Sequence, residues 1–203
     1  IQHYLHNNLQ NLLGADAVLT QKDKLTIKQQ TSLINLSERV VNTLQINATL
    51  TFNGKWQNSK LKAVGDDYPL QGQLLTSTSL QKSANATKGG PKAGNIWLDS
   101  RLFASLTLSI GDAINLGEHA FIVSRVLIHE PDRLMEGHSV AMRAIVNKID
   151  MSKLAFPADL IQYRYLISAS KSQVLQLIDW QKEQLPAAKI HHKSGSHPLA
   201  LFW

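Results

Sequence analysis

Apolar residues recur along the chain with two different periods, and the switches between them outline the elements. Ile1, Leu5, Leu9, Leu12 and Leu13 fall at helical spacing and Gly14 follows as a stop, which predicts a short amphipathic helix whose leucine stripe packs on the domain. Ala17, Val18 and Leu19 predict a short strand. Thr31 or Ser32 is placed to cap a second helix carrying Leu33, Leu36, Val40, Val41 and Leu44 on one stripe, with Ser37, Glu38, Arg39 and Asn42 toward water. Ala48, Leu50 and Phe52 then alternate with polar neighbours, the period of a half-buried strand, and Asn53-Gly54 is a reversal signal. The return strand is expected through Leu61 to Val64, and a turn at Gln57-Asn58-Ser59 satisfies the same pattern.

From about Tyr68 to Gly94 the pattern lapses into Ser, Thr, Gln, Asn, Lys and Gly, broken by Pro69, Gly89, Gly90 and Pro91. A domain crossing or a long loop is expected there. Asn95 to Asp99 reads as a strand, Arg101 to Leu106 as a short helix and Gly111-Asp112 as a turn. Ala113 to Leu116 and Phe121 to Ile128 read as a hairpin around Gly117-Glu118-His119. Gln162 to Ser168 is β-rich, and Ser170 or Ser172 caps a helix that buries Val174, Leu175, Leu177, Ile178 and Trp180 and stops at Pro186. Helical stripes at both ends and turn-punctuated strands between them predict an α+β fold with a discontinuous α/β lobe, residues 1–68 and 160–203. A β-rich lobe, residues 69–159, is inserted into it.

Composition supports a packed domain. The chain has 203 residues, 43% hydrophobic and 18% charged, outside the range of disordered or low-complexity segments. It has no cysteine, so disulfides and thiolate metal sites are excluded. Its net charge is +6, but Lys and Arg are scattered and never interleaved with aromatics, so no nucleic-acid partner is expected. No window approaches the roughly 18 uninterrupted apolar residues of a membrane helix. With Ile1 first and no charged leader ahead of the fold, the chain reads as an excerpt of a longer protein.

Four groups of residues invite a chemical reading. Gly137-His138-Ser139-Val140-Ala141 resembles a nucleophile elbow, but no apolar strand precedes it and Ala takes the last small position, so a loop is expected. A hydrolase using Ser139 is the rival reading. His191, His192 and His197 could attract a transition metal, yet adjacent residues of a strand point to opposite sides, and no metal site is expected. His129-Glu130-Pro131-Asp132-Arg133 gathers acid and base, and is expected to be a solvated turn. Trp56, Trp97, Trp180 and Trp203 are expected in packing roles, and no phosphate-cradling loop is present for ATP hydrolysis. No catalytic, cofactor-binding or metal-binding residue is therefore assigned.

The string Leu61-Lys62-Ala63-Val64-Gly65-Asp66-Asp67-Tyr68-Pro69-Leu70-Gln71-Gly72 resembles the signature of the first extracytoplasmic domain in YbbP-like permeases, relatives of the MacB and FtsX group. Leu13-Gly14-Ala15-Asp16, Ile96-Trp97-Leu98-Asp99 with Leu106, Gly111-Asp112 and Leu116-Gly117, Glu130-Pro131-Asp132-Arg133, and Tyr163-Arg164-Tyr165-Leu166 agree in the same order. The resemblance spans about residues 1–185. It implies a porter-like α/β lobe with an inserted β-rich lobe, and a first helix that continues a membrane span lying before Ile1. It further implies a permease at the periplasmic face of the bacterial inner membrane, paired with a cytoplasmic ATPase subunit. Such a permease works on a periplasmic partner or hydrophobic cargo, as a dimer in the full transporter, with no cofactor and no catalysis of its own. Hinges would lie near Gly65 to Gly72 and near Phe156-Pro157. A non-catalytic scaffolding module is the remaining alternative.

Overall fold

The structure, a computed structural model, describes residues 14–136 and 139–192. The expected opening helix, Gly137, His138, His197 and Trp203 lie outside the described residues. Among the described residues eleven strands form one mixed sheet in the order β11-β1-β10-β2-β3-β9-β6-β8-β4-β5, with β7 bridging β2 and β8. Four strands at one end, β1 (Ala17–Gln21), β2 (Arg39–Phe52), β10 (Gln162–Ser168) and β11 (Lys189–His192), are joined by two helices. They are α1 (Ile27–Asn35), between β1 and β2, and α4 (Lys171–Gln184), between β10 and β11. All neighbours in this group are antiparallel, so each helix links two parallel strands with a third between them. That is the split βαβ arrangement, doubled. Inserted between β2 and β10 are β3 (Lys55–Val64), β4 (Leu74–Ser77), β5 (Asn85–Thr87), β6 (Asn95–Asp99), β7 (Ala113–Leu116), β8 (His119–His129) and β9 (Arg143–Asn147). Two short helices, α2 (Ser100–Leu106) and α3 (Met151–Leu154), accompany them. The expected α+β class, a discontinuous porter-like lobe with a β-rich insertion, is the observed one.

The second helix is not where the apolar stripe put it. α1 begins at the Thr26 cap, whose side chain accepts from Gln29 N while the Gln29 side chain accepts from Thr26 N, a reciprocal capping box. Val40, Val41 and Leu44 belong instead to β2, where Val41, Thr43 and Gln45 are buried in alternation. Leu36, Val40 and Leu44 happen to fit both periods, and β-branched Val40, Val41 and Thr43 favour the pleated alternative. The Asn53-Gly54 turn forms as expected, with both residues at positive φ (48° and 76°), as a two-residue turn of this kind requires. The rival turn at Gln57 does not form, because the return strand starts at Lys55. Of the apolar residues on α4, Val174 and Leu177 are buried but Leu175 faces outward.

Register places three cores on two faces. On one face α1 and α4 cover Ala17, Leu19, Tyr165 and Ile167, and α2 covers Ile46, Leu50, Leu61, Ile96 and Phe121. Fully burying each such side chain contributes about 1.5–3 kcal/mol. The opposite face carries Val18, Val41, Leu166, Val64, Ile145 and Trp97, under Tyr68, Leu70, Leu127 and Met135. No helix among the described residues is long and apolar enough to cross a membrane.

Candidate functional site

The second face also carries charge. Lys62 sits in the apolar run Leu61-Lys62-Ala63-Val64 of β3, and Arg143 opens the run Arg143-Ala144-Ile145-Val146 of β9. β3 and β9 are parallel, with Lys60 opposite Arg143 and Lys62 opposite Ile145, so both cations project from the same side within one turn of the pleat. The carboxylates come from the segment after β8. Glu130 and Asp132 flank Pro131 and are buried, and the 3₁₀ turn Arg133–Glu136 brings Glu136 back over the sheet. The Lys62 side chain is fully buried, its Nζ 2.7 Å from Glu130 Oε1, 3.0 Å from Asp132 Oδ2 and 2.7 Å from Glu136 Oε1.

Arg143 closes the ring. Its Nε and Nη2 donate to the two oxygens of Glu130, and Nη2 also lies 2.5 Å from Glu136 Oε2. The Tyr68 hydroxyl donates to Asp132 Oδ1 at 2.5 Å, and Lys62 Nζ lies 5.5 Å from the centre of the same ring. Gln45 of β2 donates to Glu136 Oε1 at 2.5 Å. Arg164 of β10 is a third buried cation on this face, within electrostatic reach of Glu136, and its Nε and Nη2 make no hydrogen bond among the described residues. Three carboxylates thus face three cations.

Burial would push the Lys62 ammonium toward neutrality, but Asp132, Glu130 and Glu136 outweigh it and hold its pKa above the ordinary lysine value. Burial would raise Glu136 and Glu130; for both, Lys62 and Arg143 reverse the sign and hold the carboxyl below its usual range. Arg143 is likewise held up by Glu130 and Glu136 against the effect of burial. Tyr68, buried beside Asp132, is pushed well up and stays a neutral donor. Lys62, Arg143, Glu130 and Glu136 are therefore held charged at neutral pH, and Tyr68 is held as a donor.

The chain segments around this ring are tied to it. Gly14 (φ +69°) crosses the Pro131-Asp132 backbone so closely that a Cβ there would lie 2.7 Å from Asp132 N. Two residues on, Asp16 Oδ2 accepts from Ala169 N at 3.0 Å and from Gln71 Nε2 at 3.2 Å, joining the entry of the chain to β10's exit and to the Tyr68 loop. Asp99 caps α2 through Arg101 N and accepts from Arg143 N at 2.8 Å.

The His129-Glu130-Pro131-Asp132-Arg133 segment, expected as a solvated turn, is thus a correction: Arg133 is exposed and His129 half-buried, but Glu130, Pro131 and Asp132 are buried. The turn forms, but the carboxylates point inward to cations that sequence distance concealed. The available signal was the single lysine or arginine set in an apolar strand, which a solvated face does not explain. Ser139 lies in irregular chain before β9, and its Oγ accepts a hydrogen bond from Ala141 N at 3.2 Å. His191 and His192 are neighbours on β11 and so point to opposite faces. His191 is held below its usual pKa by burial and by Arg164. Among the described residues no cluster of three His, Asp or Glu is arranged to hold a metal ion, and the three carboxylates of the ring are met by Lys62 and Arg143.

No protein-family model matches the chain. In sequence it is similar to a curated protein, the uncharacterized ABC transporter permease YbbP of Escherichia coli, with 32% identity over 141 residues. The match covers 68% of this chain and 16% of that protein. Among solved structures the fold is similar to the periplasmic region of MacB from Actinobacillus actinomycetemcomitans, with a TM-score of 0.53 and 11% identity over 89% of this chain and 90% of that one. The extracellular domain of the noncanonic ABC-type transporter YknZ from Gram-positive bacteria gives 0.52 and 12% over 87% and 100%. A domain of a putative permease protein from Porphyromonas gingivalis gives 0.50 and 10% over 93% and 96%.

Proposed function

We propose, from the premise that this chain is a YbbP-related domain with the MacB-like periplasmic fold, that it is the extracytoplasmic domain of an ABC transporter permease subunit and relays membrane-helix movement outward. It faces the periplasm, at the outer side of the inner membrane. A cytoplasmic ATPase subunit drives the membrane part, and the domain turns that motion into displacement or extraction of a hydrophobic cargo such as a lipid or lipoprotein. No residue of the domain needs to make or break a bond for this.

One observation carries the reading: the segments that resemble the permease signature converge on one buried ring of charge. Lys62 and Tyr68, Glu130 and Asp132, Arg164, and Gly14 to Asp16 come from four separate stretches and meet within one joint. Buried ion pairs contribute little net stability but fix one arrangement of the groups they hold. A joint that passes force between elements needs that rigidity. The two-lobe division, residues 1–68 with 160–203 against 69–159, belongs to this reading. The core under α1 and α4 supports it, since its residues come only from the two ends, while the β2–β3 hairpin runs from that lobe into the other.

The test is made in the full permease with Tyr68→Phe, which removes one hydrogen bond, and Lys62→Met, which breaks the ring. Both proteins should insert and bind the ATPase, while transport falls modestly in the first and strongly in the second. Undiminished transport by both would remove the joint from the mechanism.

A further inference from the structure

Strand alternation continues the face of the charged ring outward along the β2–β3 hairpin. Thr51 pairs with Trp56, Thr49 with Asn58 and Asn47 with Lys60, so all six side chains stand on the side that further inward bears Gln45 and Lys62. The inner half of this face is sealed by residues 130–136. The outer half is open, and a groove of about 570 Å³ runs along it and over the unpaired edge of β3, lined by Asn47, Thr49 and Asn58 on this face, by Gln57 and Ser59 at the edge, and by residues 140–142 as its wall.

The groove is held in shape from behind. Arg101, paired with Asp99, donates from Nη1 to Val140 O at 2.9 Å and from Nη2 to Ala141 O at 3.1 Å, which fixes the wall. Thr49 Oγ1 donates to Asn58 Oδ1 at 2.9 Å, which orients the amide and leaves its nitrogen as a donor. Among the described residues no charged side chain lines the groove, and the cation beside it on this face is Lys60, opposite Asn47. Beyond its outer end Trp56 is 67% exposed, an indole with little of its face covered.

We infer that this groove, with Trp56 at its mouth, binds an uncharged glycan. An aromatic face accepts the polarised C–H groups of a pyranose, and amides and hydroxyls exchange hydrogen bonds with its hydroxyls in both directions. An acyl chain would leave the Asn47, Thr49 and Asn58 groups unpaired, and a basic peptide finds no carboxylate among the lining residues. The inference stands independently of the permease reading.

It is tested by isothermal titration of the 203-residue chain with two probes, the N-acetylglucosamine tetramer and maltotetraose. Saturable binding of at least one probe in the millimolar range or tighter is expected. Trp56→Ala should abolish it and Asn58→Ala should weaken it about tenfold, with Trp180→Phe unchanged and all three variants unfolding at the wild-type midpoint. No saturable binding of either probe, or binding undiminished in Trp56→Ala, overturns the inference. So does a groove that prefers a dodecyl chain or an acidic peptide over both glycans.

Discussion

Lys62 shows how one residue can hold a site that its neighbours in sequence do not announce. Truncating it leaves Glu130, Asp132 and Glu136 buried against one another, and removing one partner from a buried pair costs about 3–5 kcal/mol. Lys62→Met should therefore lower the urea-unfolding free energy by that amount. Tyr68→Phe, which forfeits one bond to a charged acceptor, should cost about 1.5–3 kcal/mol. The ring also sets a pH window. Glu130 and Glu136 are held low, so their contribution is present above the unfolded glutamate value of about 4.3 and is lost as pH falls below it. Lys62 is held high, so its contribution is complete below about 10.4 and is lost only as pH rises past it. Urea midpoints measured against pH should be flat from about pH 7 to 9, ease slightly below about pH 6.5 as His191 is required to stay neutral, and fall steeply below about pH 4. A maximum near pH 4 would contradict the ring. Glycine gives a sharper contrast. Gly14→Ala meets the Pro131-Asp132 backbone, while Gly54→Ala meets nothing within 4 Å, though both hold positive φ. The first should destabilise the domain well beyond the cost of about 1 kcal/mol expected of the second.

Among the elements, those with local signals were legible from the sequence. The β2–β3 turn, β1, β6, the β7–β8 hairpin, β10 and the Ser170 cap of α4 all follow from turn chemistry, alternation or capping residues that act over a few positions. The exception is α1, where Thr26 caps and Thr31 does not. Thr26→Ala should cost about 0.5–2 kcal/mol in unfolding free energy. Thr31→Ala, which loses only an exposed bond to Ile27 O, should change almost nothing. The opposite order would restore the later helix start. β4, β5 and β11 carried no readable signal. They are three or four residues long and exist because neighbouring strands offer them an edge, which is a tertiary fact.

At the scale of the whole molecule, one sheet runs from β11 to β5 without a break, and a core containing Val18, Val64, Trp97 and Ile145 spans the end strands and the insertion. The domain should therefore unfold in a single transition, with calorimetric and van't Hoff enthalpies equal. Two resolved transitions would show that the lobes are energetically independent. By itself the sequence determined the α+β class, most strand positions and the relationship to permeases, because these rest on periodicity, turn residues and ordered motifs that neighbouring residues specify. It did not determine the site. Lys62 and Asp132 are 70 residues apart, and Tyr68 and Asp132 are 64 apart. Only the parallel pairing of β3 with β9 and the fold-back of residues 130–136 bring those charges into one water-excluded space. Whether a carboxylate is solvated or locked depends on what lies across the sheet from it, and that is decided by the tertiary structure.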